Sequence, residues 1–101
     1  MPRPNNVTEN DLKRWDDIID NDPNLPGHLA QMPIIREVCY AGQYLVDELT
    51  KLQCPDVLIA RIMYTGGKLS FGRDAWEVHQ ELIDKYKNNT LEYDADSTEF
   101  N

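Results

Sequence analysis

The sequence lacks any long apolar run. No stretch approaches the roughly 18 consecutive apolar residues that a membrane span needs. The first eleven residues, MPRPNNVTEND, also lack the apolar core of a secretory signal. These absences predict a protein of the cytoplasm that has no membrane partner.

Basic residues are scarce. Ten Lys and Arg stand against 18 Asp and Glu, which gives the 101-residue chain a formal charge of -8. Since nucleic-acid affinity depends largely on basic side chains that displace counterions from phosphates, we expect no direct nucleic-acid partner. Residues 28 to 73 hold five basic and four acidic residues, so the acidity lies towards the two ends. The expected partner is a larger protein with a basic surface.

Cysteine and histidine are also few, with two of each. Cys39 and Cys54 are too few and too far apart for a zinc site, and we predict two reduced thiols that pack as small apolar groups. Asp20, Asp22 and Asn24 begin like a calcium loop, but the required glycine and glutamate are missing from its sixth and twelfth positions. We therefore predict no metal and no cofactor.

Helical patterns account for most of the chain. Thr8 and Asp74 are typical N-caps, and Pro33 and Pro55 suit the beginnings of helices. The apolar periodicity predicts helices near residues 8 to 20, 33 to 52, 56 to 66 and 74 to 88. The expected fold is all-α, a small four-helix bundle. Residues 1 to 89 would form one domain, followed by an acidic tail at 90 to 101 that is mobile or docks on a partner.

The third predicted helix is the most apolar. Residues 57 to 64 carry one charge, Arg61, so we expect this helix at the centre of the bundle. Gly66 and Gly67 then fit a helix C-cap and turn. They do not fit a phosphate loop, because Ile62 and Leu69 occupy positions where that motif needs Gly and Ser or Thr. Lys68 and Arg73 form a small basic island that could contact an anionic group of a partner.

The longest predicted helix has a seam for helix packing. Its apolar residues recur at three- and four-residue steps, and Gly42 lies among them. Since glycine costs an isolated helix roughly 1 kcal/mol relative to alanine, we expect close approach of another backbone at Gly42. Tyr40 and Tyr44 lie off this seam, which predicts a second buried side or an aromatic contact surface.

Carboxylates on the polar faces of the first and last helices suggest a function. We predict a non-enzymatic protein–protein interaction module, such as a regulator, inhibitor or assembly subunit. One version mimics the charge of a nucleic acid, as small phage-type inhibitors do. The candidate partner-binding residues are Asp16, Asp17, Asp20, Glu77, Glu81, Asp84, Lys68, Arg73, Tyr40 and Tyr44.

Two alternatives remain open. A small enzyme or ligand-binding domain would use His79, with Cys39 or a tyrosine nearby, although a buried structural histidine is the simpler interpretation of that position. A homo-oligomeric subunit would instead use Tyr40, Gly42 and Tyr44 as its contact.

Overall fold

Residues 3–91 of the chain fold into five α-helices. The structure, a computed structural model, describes residues 3–91, and that part contains no strand. The all-α prediction is therefore confirmed, but the number of helices differs, because a one-turn helix precedes the longest one. The helices are α1 (Glu9–Asp20), α2 (Gly27–Ala30), α3 (Pro33–Lys51), α4 (Asp56–Leu69) and α5 (Ala75–Lys87).

The predicted caps begin α1 and α5. The Thr8 side chain accepts a hydrogen bond from the Asp11 N–H, and the Asp11 carboxylate accepts one from the Thr8 N–H, which completes a capping box. The Asp74 carboxylate accepts a hydrogen bond from the Glu77 N–H at the beginning of α5. Short-range polar patterns thus place the first and last helices correctly.

The centre of the molecule is α3. This helix packs against all four others, and Ala41, Leu45 and Leu49 on it are fully buried. The prediction that the apolar α4 is central was wrong. Its Val57 is 64% exposed and Tyr64 is 45% exposed, because α4 buries only the side that faces α3 and α5. An all-round apolar composition does not decide which side of a helix is covered.

Helix α4 continues through both glycines. It ends at Leu69, and neither Gly66 nor Gly67 has a positive φ, so the predicted C-cap was misplaced. The glycine with positive φ is Gly72, at +96° in the turn before α5. Glycine lowers helix propensity but does not end a helix whose other residues gain enough burial.

Helices α3 and α5 run in the same direction, and α4 runs opposite to both. Near the beginning of α5, the His79 ring bonds to Ala41 of α3. Near its end, Ile83 adjoins Tyr44, which lies further along α3. Conversely, late residues of α4 such as Gly67 adjoin early residues of α3.

The structure describes the first two residues of the predicted tail, Thr90 and Leu91. The Thr90 N–H donates to the Lys85 carbonyl oxygen at 2.9 Å, and Leu91 is half-buried against the core. These two residues therefore contact the helical part of the chain. The rest of the predicted acidic tail lies outside the described residues.

None of the helices in the described part is both long enough and apolar enough to cross a membrane.

Candidate binding groove between α3 and α4

An apolar groove opens between the first half of α3 and the second half of α4. Its volume is about 370 Å³. Helix α3 supplies one wall and α4 the other, Phe71 stands at the rim, and His79 of α5 forms the floor. The residues that line the groove are Val38, Gly42, Leu45, Met63, Gly67, Ser70, Phe71 and His79.

Two glycines leave the groove open. Gly42 and Gly67 belong to its two different walls, and a Cβ added to either would meet no heavy atom within 4 Å. The expected close approach of a backbone at Gly42 was therefore wrong. Side chains at these two positions would project into the space between the helices, and their absence leaves that space empty.

A neutral histidine closes the floor. His79 is 5% exposed, and its Nδ1–H donates to the Ala41 carbonyl oxygen at 2.7 Å. Burial lowers the pKa of His79 from its ordinary value of 6.5. The ring is therefore uncharged at neutral pH, and with Nδ1 as the donor, Nε2 is the acceptor nitrogen.

Apolar side chains extend the groove onto the surface. Phe71 is 89% exposed and Ile34 is 78% exposed, while Val38 is about half exposed. Such large, exposed and neighbouring apolar groups are uncommon on a protein that has no partner.

The outer face of α4 continues this apolar surface. Residues 57, 60, 64, 67 and 71 recur at alternating three- and four-residue steps, which is the spacing of a helix-packing seam. All five residues are exposed. We call them the α4 seam: Val57, Ala60, Tyr64 and Gly67 on α4, and Phe71 just beyond its end at Leu69.

Lys68 and Arg73, the two members of the predicted basic island, make different contacts. Lys68 lies on the last turn of α4, with its Nζ 5.4 Å from the centre of the Tyr64 ring. Arg73 precedes α5 and pairs with Glu77 at 3.0 Å and with Glu81. These contacts raise the pKa of Arg73.

Two of the predicted acidic residues in α1 already have partners within the chain. Arg36 bonds to Asp16 at 2.9 Å and to Asp20 at 2.8 Å, and the Tyr40 hydroxyl donates to Asp16. The Arg36 hydrogen bond lowers the pKa of Asp20, and burial is the main cause that raises the pKa of Tyr40. Asp17 is exposed on the same helix.

The other predicted residues lie away from the groove. Asp84 is exposed on α5, near Glu48 of α3. Tyr44 is buried, its ring packs edge-on against Trp76, and its hydroxyl donates to Asn6. The structure thus gathers the ten candidate residues into separate clusters and not into one surface.

The residues considered for catalysis show no activated nucleophile. Burial raises the pKa of the Cys39 thiol, which keeps it protonated and weakly reactive. Cys39 and Cys54 are both free, in agreement with the predicted thiols. Among residues 3–91, no group of three or more His, Cys, Asp or Glu side chains could hold a metal ion.

Comparisons with protein family models, with curated proteins and with solved structures found no match.

Sequence reasoning missed the groove. Val38, Gly42 and Leu45 were interpreted as parts of a packing seam, and Gly67 as part of a turn. The available signal was the pair of glycines in two apolar helices. It becomes informative only when the helices are known to be antiparallel neighbours, because that arrangement brings Gly42 and Gly67 to the same level.

Proposed function

We propose that this chain is a non-enzymatic protein–protein interaction module, such as a regulator, inhibitor or assembly subunit, that binds a partner segment in the groove between α3 and α4. The observation that carries the proposal is the groove itself, an apolar space left open by Gly42 and Gly67 and bordered by the exposed Phe71. Partners commonly insert an apolar anchor into a pocket of this kind.

The extent of the apolar surface favours a polypeptide over a small molecule. The α4 seam begins at Val57 and reaches the groove at Gly67 and Phe71, so it covers the whole length of α4. Recognition of helices and other segments by grooves uses side chains at similar three- and four-residue steps. A partner that follows the seam would place one large side chain in the groove, above the neutral His79.

The version of the proposal in which acidic side chains bind a basic partner has less support. It requires Asp16, Asp20, Glu77 and Glu81 to contact a basic partner, although Arg36 and Arg73 already pair with them. A basic partner would have to compete with those arginines. Asp17 and Asp84 remain candidates for such contacts, and nucleic-acid charge mimicry would depend mainly on them.

The alternative of a homo-oligomeric subunit that uses Tyr40, Gly42 and Tyr44 as its contact also has less support. Tyr44 is buried and the Tyr40 hydroxyl bonds to Asp16, so the predicted tyrosine contact has only the exposed part of the Tyr40 ring to offer. Gly42 lines the groove instead.

Selection from a displayed peptide library tests the proposal. The bait is the full chain, and the counter-bait is its Gly67→Leu variant, in which the new side chain fills the groove. Selected peptides should carry a large apolar anchor and bind Gly67→Leu at least ~10-fold more weakly, a difference of ~1.4 kcal/mol. Each peptide's affinity is then measured by fluorescence polarisation.

The matched control is Gly27→Leu. Gly27 also has open space around it but lies in α2, outside the groove. This variant should bind the selected peptides as the unmodified chain does. If both variants fold, as judged by circular dichroism, and no peptide prefers the unmodified chain to Gly67→Leu, the proposed function is wrong.

A further inference from the structure

We propose that two copies of this chain form a two-fold dimer in which Phe71 of each copy enters the groove of the other. This contact differs from the predicted oligomer contact through Tyr40 and Tyr44. It goes beyond the proposed function, because it requires no separate partner. The inference rests on an exposed aromatic side chain and an open apolar recess that lie side by side on one surface.

Phe71 and the groove match in chemistry and in size. The Phe71 side chain is 89% exposed at the rim, so it does not fill the groove of its own copy. The groove has a volume of about 370 Å³, and a recess of ~150 Å³ lined by apolar side chains already accommodates a benzene ring. The open space at Gly42 and Gly67 therefore admits the ring of a phenylalanine.

The position of Phe71 beside the groove favours a closed dimer over a filament. When a projecting side chain and its recess lie on different faces, each contact leaves another recess open, and filaments result. When both lie on one face, a two-fold axis between them lets each copy insert its side chain and receive that of the other. Phe71 stands at the rim of the groove, so one two-fold rotation satisfies both contacts.

The apolar surface of the groove and the α4 seam is large enough for such a dimer. With ~200 Å² for a full aromatic side chain and ~100 Å² for an aliphatic one, the exposed fractions amount to roughly 500 Å² in each copy. Two copies would bury about 1,000 Å² of apolar side chain, which is the minimum expected of a specific interface before its polar rim is counted. The contributing side chains are Ile34, Val38, Val57, Met63, Tyr64 and Phe71.

Charge also favours a second copy at this surface. None of the described residues that line the groove is charged at neutral pH, since His79 is neutral. The groove walls and the α4 seam lie within residues 28 to 73, which hold five basic and four acidic residues in a chain of formal charge -8. An equally acidic copy therefore meets the least repulsion here. A charged partner segment would lose hydration in the groove without gaining an ion pair there.

Sedimentation equilibrium of the full chain tests the dimer. The unmodified chain should show a monomer–dimer equilibrium, and Phe71→Ala should raise the dissociation constant of the dimer at least ~10-fold. Ile18→Ala is the matched control, because Ile18 is an exposed apolar residue of α1 that does not line the groove. A chain that stays monomeric up to millimolar concentration, or a dimer that both substitutions affect equally, overturns the inference.

A mixture of two variants tests the exchange of side chains itself. Phe71→Ala lacks the inserted ring and Gly67→Leu has a filled groove, so neither variant forms a complete contact with itself. In a mixed dimer, Phe71 of the Gly67→Leu chain still enters the open groove of the Phe71→Ala chain. Native mass spectrometry of an equimolar mixture should therefore show mixed dimers above their random share. A random share overturns the proposed exchange.

Failure of this inference and failure of the proposed function are distinguishable. Peptides selected on the groove are tested on Phe71→Ala, whose groove receives no ring from a second copy. If this variant binds them while the unmodified chain is monomeric, the dimer is wrong and the proposed function stands. If mixing restores the dimer and no selected peptide binds Phe71→Ala, the proposed function is wrong and the dimer stands.

Discussion

The imidazole of His79 lies directly against the backbone of Gly66. A Cβ on Gly66 would stand 2.9 Å from both Cδ2 and Nε2 of the ring, and 3.3 Å from Cδ1 of Leu82. Helices α4 and α5 are therefore in close contact at Gly66. Its neighbour Gly67 faces the open groove, so two consecutive glycines serve opposite purposes.

Gly66→Ala and Gly67→Ala should have opposite effects on stability. At Gly66 the methyl group must displace the buried His79 ring, which costs roughly 1 to 3 kcal/mol. At Gly67 the methyl group meets open space, and the higher helix propensity of alanine should stabilise the fold by up to ~1 kcal/mol. Urea denaturation of the two variants measures both changes. Equal stabilities would show that α4 and α5 do not meet as described.

Stability should fall on mild acidification because of His79. Burial holds the pKa of His79 in the folded chain below its ordinary value of 6.5. As the pH falls below about 6.5, the unfolded chain takes up the proton first, so the free energy of unfolding decreases until the folded-state pKa is reached. Above pH 6.5 this residue should add no pH dependence.

His79→Gln should remove that part of the pH dependence, since the amide does not titrate. His28→Gln is the control, because His28 is exposed in α2. Chemical denaturation between pH 5 and 8 gives the comparison. A pH profile that His79→Gln leaves intact would contradict the assigned burial of a neutral ring.

Asp47 should matter through its hydrogen bond more than through its charge. The buried Trp15 donates its indole N–H to the Asp47 carboxylate at 2.9 Å, and Arg14 pairs with the same carboxylate. Asp47→Leu leaves the indole donor without an acceptor and should cost roughly 1 to 3 kcal/mol. Asp47→Asn keeps an acceptor oxygen and should cost clearly less. Thermal unfolding followed by tryptophan fluorescence checks the order, and a more damaging Asn variant would refute it.

Arg36→Met should destabilise the fold more than Arg73→Met. Arg36 joins α3 to Asp16 and Asp20 of α1 and also donates to the Ala30 carbonyl oxygen, whereas Arg73 pairs with Glu77 and Glu81 of the adjacent helix. Since Arg36 lowers the pKa of Asp20, it stabilises the fold above pH ~3.8, and this contribution is lost as the pH falls further. Unfolding midpoints at pH 7 and pH 3 test the claim, and the difference between Arg36→Met and the unmodified chain should shrink at pH 3.

Local sequence patterns predicted the helices, but they did not predict which side of each helix is buried, because that depends on packing. Thr8 and Asp74 place caps correctly because a cap is an interaction between residues three positions apart. The predicted central position of α4 was wrong. The apolar residues of α4 cover both sides of the helix, and its packing against α3 and α5 leaves Val57 and Tyr64 exposed.

The predicted acidic binding residues likewise could not be interpreted without knowledge of the packing. The carboxylates of α1 form a polar face in the sequence, and nothing in that face indicates Arg36, which is 16 residues beyond Asp20. Pairing across helices is a property of the fold, so a row of acids in one helix cannot be assigned to a partner before its neighbours are known. The groove required the same information, since neither Gly42 nor Gly67 indicates a cavity alone.

The open space at Gly42 and Gly67 has an evolutionary consequence. Alanine, serine or valine at either position would alter the depth of the recess while the buried scaffold keeps its shape. Under the proposed function, single codon changes at either position would then change which partner side chain fits, without a compensating change elsewhere in the protein.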